Sequence, residues 1–249
     1  MYRAWVLAFA ACGRIDFGVV PLAHADAGAD AGADAGVGDG AAGVQPIHQY
    51  SLNHSFADDF GGPSLTGHGG TFSSAGYDFG AGQGLSVDGA LPQDIYTVDL
   101  ELAFTDLSGW RKILDFEGLT QDSGFYTYEA ALQYVIVPGS DFLTTAATLV
   151  PSTLLHLTLT RDASAVVVGY LGGAPVMATR ASSATPPTSP PTTPFAFADP
   201  TRVAALTGTT ATFVIDDTAT GGGEAPSGTV RRIRIYDVAL TAAQVAAMP

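Results

Sequence analysis

The chain has 249 residues, of which 47% are apolar and only 14% charged, with 30 Gly and 15 Pro. Few charges and many turn formers favour short strands joined by turns over a helical bundle. A formal net charge of −14, with Lys112 the only lysine, argues against nucleic-acid or anionic-membrane binding, and the basic residues cluster only at Arg231, Arg232 and Arg234. The single cysteine, Cys12, excludes an internal disulfide, a CxxC zinc site and a redox pair. No apolar run reaches the roughly 18 residues of a membrane-spanning helix.

The first element is a delivery signal. Arg3 is followed by the apolar run Ala4–Ala11 and then Cys12, and Phe9-Ala10-Ala11-Cys12 resembles a bacterial lipobox, in which cleavage leaves a lipidated cysteine. Residues 1–12 are therefore expected to be a signal peptide, with Cys12 as the lipid attachment site and membrane association through that lipid alone; the alternative is an ordinary signal peptide in which Cys12 is incidental. Gly13, rather than Asp, after Cys12 points to an exported outer-membrane or surface lipoprotein. Residues 13–46 contain three copies of Ala-Asp-Ala-Gly between Ala25 and Gly36. Such small residues bury too little area to offset ordering entropy, so a disordered linker is expected, reaching on the order of 30 Å. Only five of the 24 acidic residues precede Ile47, so the acidity belongs mainly to the domain beyond it.

From Ile47 to Pro249 the pattern is short alternating runs separated by Gly, Pro, Asp or Ser. Val98, Leu100, Leu102 and Phe104 alternate with Asp99, Glu101 and Ala103, predicting a strand with one wet face. Lys112–Phe116 is a further short strand. Phe125–Tyr128 and Leu132–Val137 read as hairpin arms around Glu129-Ala130, and Ala165–Tyr170 with Pro175–Thr179 as another around Gly172-Gly173. Leu154–Thr160, Thr212–Ile215 and Val230–Tyr236 complete the set, which argues a sandwich or barrel. Residues 182–194 are rich in Pro, Ser and Thr and are expected to form an extended surface loop. Thr241-Ala-Ala-Gln244 has capping-box spacing and predicts a short C-terminal helix.

Two stretches carry a family resemblance. His48–Asn53, Ala57–Gly62 and Gly69–Phe72 resemble the opening of laminin-G-like domains of the concanavalin A-like lectin/glucanase superfamily. Gly228–Asp237 followed by Ala239–Val245 resembles the terminal strand and short helix of that family, and Ser108–Phe116 with Asp216-Asp217 and Gly221–Glu224 resemble a bacterial branch of it. The resemblance spans residues 47–249. It implies an all-β, two-sheet antiparallel jelly-roll sandwich whose first and last strands pair, binding glycans, proteins or calcium.

Three functions follow as expectations. The first is a binding protein that recognises carbohydrate or an extracellular or envelope protein, with calcium as a possible cofactor. Calcium wants six to eight oxygen ligands on adaptable loops. Asp58 and Asp59 in one loop, and Asp216, Asp217 and Glu224 in another, are the candidates, brought close if the first and last strands pair; turn-type hydrogen bonding is the alternative role for such Asp residues. Trp110, Tyr126, Tyr128 and Tyr134 are candidates for a sugar-stacking face, against a plain role in the core. The second function is a polysaccharide hydrolase. Retaining enzymes of the superfamily carry Glu-x-Asp-x-Glu on one strand face, with catalytic carboxylates about 5 Å apart. Asp99-Leu-Glu101 lacks the third carboxylate, so a non-enzyme is expected and a solvated strand face is the reading preferred for this pair. There is no Gly-x-Ser-x-Gly elbow, His-Glu-x-x-His or P-loop, and His54 and His68 merely flank the Asp58 loop. The third is a structural or adhesive role without a discrete ligand.

Overall fold

The computed structural model describes residues 43–136, 141–144, 149–180, 195–196 and 206–249. The expected signal peptide, Cys12, the linker up to residue 42 and the 182–194 loop lie outside the described residues.

The chain enters through β1 (His48–Tyr50), β2 (Thr66–His68), β3 (Thr71–Ser73), β4 (Gly76–Phe79) and β5 (Gly84–Asp88). The long strand β6 (Tyr96–Phe104) leads to β7 (Trp110–Asp115), β8 (Gly124–Tyr128), β9 (Ala131–Ile136) and β10 (Asp141–Thr144). Then follow β11 (Leu155–Arg161), β12 (Val167–Leu171), β13 (Ala174–Arg180) and β14 (Phe195–Ala196). Last come β15 (Thr210–Phe213), β16 (Gly228–Tyr236) and the helix α1 (Ala242–Ala246).

Two sheets result. One runs β14-β13-β12-β11-β6-β16-β4-β3, with β1 also paired to β16; the other runs β10-β9-β8-β7-β15-β5-β2. This is the expected two-sheet sandwich, and its first strand pairs antiparallel with its last: His48 lies opposite Ile235 and Tyr50 opposite Ile233. Alternation supplies the core. Val98, Leu100, Leu102 and Phe104 of β6 meet Leu155, Leu157 and Leu159 of β11 and Ile233 and Ile235 of β16 in one buried cluster, which also takes in Leu85, Val87, Leu114, Phe125, Leu132 and Phe213 of the facing sheet. Every second residue of a strand points to the same face, so one apolar set per strand suffices.

The predicted hairpins form. β8 turns into β9 through Glu129 and Ala130, both with positive φ (46° and 64°), as a tight two-residue hairpin with the right strand twist requires. Gly172 and Gly173 do the same between β12 and β13. The helix carries its capping box: the Thr241 hydroxyl accepts from the Gln244 N–H and the Gln244 side chain accepts from the Thr241 N–H.

Register shifts occur in three strand pairs among the described residues, and those in β7 and β16 decide what the outer faces display. In β7 the register shifts between Lys112 and Leu114, making Ile113 the extra residue. In β16 it shifts between Val230 and Arg232, making Arg231 the extra residue. A glycine faces each: a Cβ on Gly124 would strike the Leu114 carbonyl oxygen, and one on Gly76 the Val230 carbonyl oxygen. Because of the second bulge, Val230 and Ile233, three apart, both enter the core while Arg231 and Arg232 turn outward.

Candidate functional site

The outer face of the seven-stranded sheet gathers the densest chemistry. Residues i and i+3 of a regular strand point to opposite faces, but the bulge at Ile113 places Lys112 and Asp115 on one side, where the Lys112 ammonium lies 2.8 Å from Asp115 Oδ2. The same ammonium donates to Asp217 Oδ2 at 2.6 Å and sits 5.1 Å from the centre of the Tyr126 ring. Lys112, Asp115 and Asp217 are all fully buried at their side chains. The Tyr126 hydroxyl lies 3.2 Å from Asp217 Oδ2 and 3.1 Å from Asp122 Oδ1. Carboxylate oxygens of Asp122, Asp217 and Glu224 all lie within 4.8 Å of one another.

The loop after β15 is folded by its own acids. Asp216 accepts from the Asp217 and Glu224 N–H groups, and Asp217 Oδ1 from those of Ala219 and Thr220. Asp115 Oδ1 likewise accepts from the Glu117 and Leu119 N–H groups. Glu224 has no such support: its Oε2 is buried with no hydrogen-bond partner. Burial, and then the charges of Asp122, Asp216 and Asp217, push its carboxyl up to about 7, against a smaller opposing pull from Lys112. Burial and the nearby Asp217 charge also hold the Tyr126 hydroxyl protonated, as a donor. Five carboxylates, two of them in contact with Lys112, thus share this region with one ammonium, an excess that a proton on Glu224 or a hard cation would offset.

An aromatic pair adjoins this group. Trp110, the first residue of β7 rather than a loop residue, lies opposite Tyr128 with ring centres 4.6 Å apart, and its ring meets Tyr126 edge-on at 5.8 Å. Tyr128 is 39% exposed and Trp110 partly so. Tyr126 therefore links the aromatic pair to the acids, its ring against Trp110 and its hydroxyl against Asp122 and Asp217. Tyr126 itself is covered, and Tyr134 does not belong to this group. Opposite Phe125 on the other face, Tyr134 is buried in the core.

The two acidic loops are not brought together. Asp58 follows β1 in the chain and bonds back to it, locking the β1 end of the molecule. Its carboxylate accepts from the Gln49, Phe60 and Gly62 N–H groups and pairs with His48 Nδ1 at 2.6 Å. Burial pulls its pKa up, but these bonds outweigh burial and hold it below the ordinary value. Asp59 engages the side chains of Gln49 and Ser51. The Asp58 loop lies by the end of β16 and the Asp216 loop by its start, a nine-residue strand apart, or about 26 Å at ordinary strand rise. Turn-type bonding is what the structure gives Asp58, through the Phe60 and Gly62 N–H groups, while Asp59 bonds side chains at the β1 end.

The expected wet face of β6 is also different. Asp99 is fully buried: Arg234 donates to its Oδ2 from Nε at 2.9 Å, and His156 and Thr158 meet its Oδ1 at 2.6 and 2.7 Å. Burial raises its pKa, but the His156 bond and the Arg234 charge lower it more. Glu101 is paired with Arg232. Side chains from β11 and β16 that no run within β6 reveals cover this face. His54 stacks near Phe72 and His68 bonds Ser86, each away from both acidic groups.

Lys112, Asp115 and Asp122 were missed by pattern reading. The signal for the first two is the chain's only lysine with an aspartate three residues on; nothing local marks Asp122.

No protein-family model matches the chain, and no curated protein matches it. Solved structures share the fold. Domain 4 of AbnA, an extracellular GH43 arabinanase from Geobacillus stearothermophilus in complex with arabinotriose, is 17% identical with a TM-score of 0.54, covering 82% of this chain and 98% of that one. Trypanosoma rangeli sialidase is 14% identical with a TM-score of 0.56, covering 83% of this chain. The binding domain of botulinum neurotoxin serotype D is 10% identical with a TM-score of 0.54, covering 81% of this chain. The chain spans 32% of the sialidase and 50% of the neurotoxin chain, so it corresponds to one part of each.

Proposed function

We propose that residues 47–249 form a glycan-binding module whose binding face is the outer face of the seven-stranded sheet. The observation that carries this reading is the half-open Trp110–Tyr128 pair, linked through the Tyr126 ring and hydroxyl to the carboxylates of Asp122 and Asp217. Flat apolar rings suit the C–H faces of a sugar, and neighbouring carboxylates accept its hydroxyls, which is the composition of a small-ligand site: apolar walls with a few converging polar groups. The fold shared with an arabinanase domain in complex with arabinotriose and with a sialidase supports a glycan as the ligand class, as does the laminin-G-like resemblance. In this reading the signal peptide and Cys12 deliver the module to the cell envelope, and mass spectrometry of the membrane-fraction protein is expected to find Cys12 acylated.

Calcium fits the Asp122–Asp217–Glu224 group and not Asp58 or Asp59. The oxygens of Asp217 are engaged by Lys112, Tyr126 and two N–H groups, but the orphaned Glu224 Oε2 and the part-exposed Asp122 beside it leave hard donors open, whereas Asp58 has its oxygens committed to N–H groups and His48. A bound calcium would hold the glycan by its hydroxyls and keep Glu224 ionised. Binding without catalysis is part of the proposal.

The test is a glycan-array screen of the full chain, with calcium and with chelator, followed by calorimetry of Trp110→Ala. The expected result is a hit weakened at least about tenfold by the substitution, in the range of a buried aromatic anchor. An unchanged affinity rejects the face. Release of new reducing ends from the bound polysaccharide, abolished by Glu224→Gln, would instead make the protein a hydrolase.

A further inference from the structure

We propose a second binding site, on the outer face of the nine-stranded sheet, where Arg231 receives the carboxylate of a uronic-acid-bearing glycan. Two hollows, of about 490 and 470 Å³, share Leu154 and Arg231 as lining residues and so form one trough across β11, β6 and β16. Its floor is low where Ala103 and Gly228 lie, and Ser51, Ser152 and Thr229 line it, the Ser51 hydroxyl donating to Asp59 and the Thr229 hydroxyl to Asp78 so that these two face a ligand as acceptors.

The bulge in β16 is what aims Arg231 into this trough, since without the extra residue one of two adjacent arginines would point into the core. The neighbouring cations are committed. Arg234 is bound to Asp99, and Arg232 is shared between Glu101 and the Pro249 main-chain oxygen. Arg231 makes only a loose contact, 3.7 Å from Nε to Glu101 Oε2, and its side chain is 61% exposed. In a chain of net charge −14, an open guanidinium flanked by hydroxyls is a local exception to the repulsion that anions meet elsewhere. The planar fork of arginine matches a planar carboxylate.

The occupant is a glycan rather than an acidic peptide. An extended peptide gains affinity by adding to a free sheet edge. The trough crosses β6, β11 and β16, whose main chains are already paired on both sides. Recognition there falls to side chains: the hydroxyls, the exposed Leu154, His156 and the guanidinium of Arg231, with Glu101 the one carboxylate in the lining and already held by Arg232.

The experiment is calorimetric titration of the full chain with trigalacturonate, galactotriose, a glutamate peptide and acetate, repeated on Arg231→Ala and Trp110→Ala. Circular dichroism checks that each variant is folded. The expected result is binding of trigalacturonate but not of galactotriose at this site, weakened about tenfold by Arg231→Ala, the scale of one charge-assisted hydrogen-bonding group. No heat with trigalacturonate, or affinity indifferent to Arg231→Ala, overturns the proposal. Equal affinity for the peptide or for acetate overturns the assignment to a glycan. Loss of trigalacturonate binding through Trp110→Ala instead of Arg231→Ala would place the acidic sugar on the other face. Failure here leaves the Trp110 reading standing, because the two sites share no residue.

Discussion

The outer faces of the two sheets are made by the same device and carry opposite excesses of charge. In β7 an extra residue at Ile113 brings Lys112 and Asp115 to one side; in β16 an extra residue at Arg231 brings Arg231 and Arg232 to one side. On the seven-stranded sheet a single buried ammonium pairs with Asp115 and Asp217, and Asp122, Asp216 and Asp217 crowd the neighbouring Glu224. On the nine-stranded sheet three arginines and His156 meet only Asp99 and Glu101 from the sheet itself. The first face is short of positive charge, which leaves a carboxyl with a raised pKa and an orphaned oxygen. The second is nearly balanced, which leaves one arginine loosely held. What differs is not the fold of the face but the count of charges a bulge turns onto it.

The largest expected effect tests whether Lys112 is the cation that holds the first face. Lys112→Met removes the only ammonium among buried carboxylates and should cost about 3–5 kcal/mol in urea unfolding, the usual result of breaking a buried pair from one side. A neutral result would mean that something else neutralises those acids. On the balanced face Asp99→Asn should cost less, about 2–3 kcal/mol, because Arg234 keeps the Pro249 oxygen as a partner. If the two substitutions cost the same, the contrast between the faces is wrong.

The bulges themselves can be attacked through the glycines opposite them. Gly124 and Gly76 have φ of 130° and 136°, and each lies where a Cβ would strike a carbonyl of the bulged strand. Gly124→Ala and Gly76→Ala should each destabilise by about 1–3 kcal/mol, read from thermal melts. Gly124→Ala should also weaken glycan binding on the Trp110 face, and Gly76→Ala should spare it.

The smallest effect is one of pH. The Glu224 carboxyl is raised to about 7 in the folded protein from an ordinary 4.5. Between these values the folded state holds a proton that the unfolded state has lost, so this group's contribution to stability falls as pH rises from about 4.5 to 7. Glu224→Gln should flatten that slope, measured as urea midpoints from pH 4.5 to 7.5. A slope unchanged by the substitution would remove Glu224 as its source.

Much of the architecture was legible in the chain. The alternation from Val98 to Phe104 and from Leu155 to Leu159 located the two central strands, Glu129-Ala130 and Gly172-Gly173 marked their hairpins, and Thr241 with Gln244 marked the helix. The short strands β2 and β5 were not marked, because three to five residues of mixed polarity take their pairing from neighbours rather than from their own pattern. Of the candidate site, Asp216, Asp217, Glu224, Trp110 and Tyr128 were candidates from the sequence, and only the fold shows that Trp110 packs on Tyr128 and that Asp217 and Glu224 meet Asp122. Asp58, Asp59 and Tyr134 were as plausible by composition, and their bonds and burial set them elsewhere.

The sequence by itself determined the alternation, the turns and the charge balance, and so the sandwich, since each is a property of residues close in the chain. The tertiary structure decided which charges meet. Lys112 and Asp217 are 105 positions apart, Asp99 and Arg234 are 135 apart, and their contact depends on strand order and on two one-residue register shifts. A single extra residue changes the face to which every later side chain points, and no local pattern announces where its partner strand will absorb it.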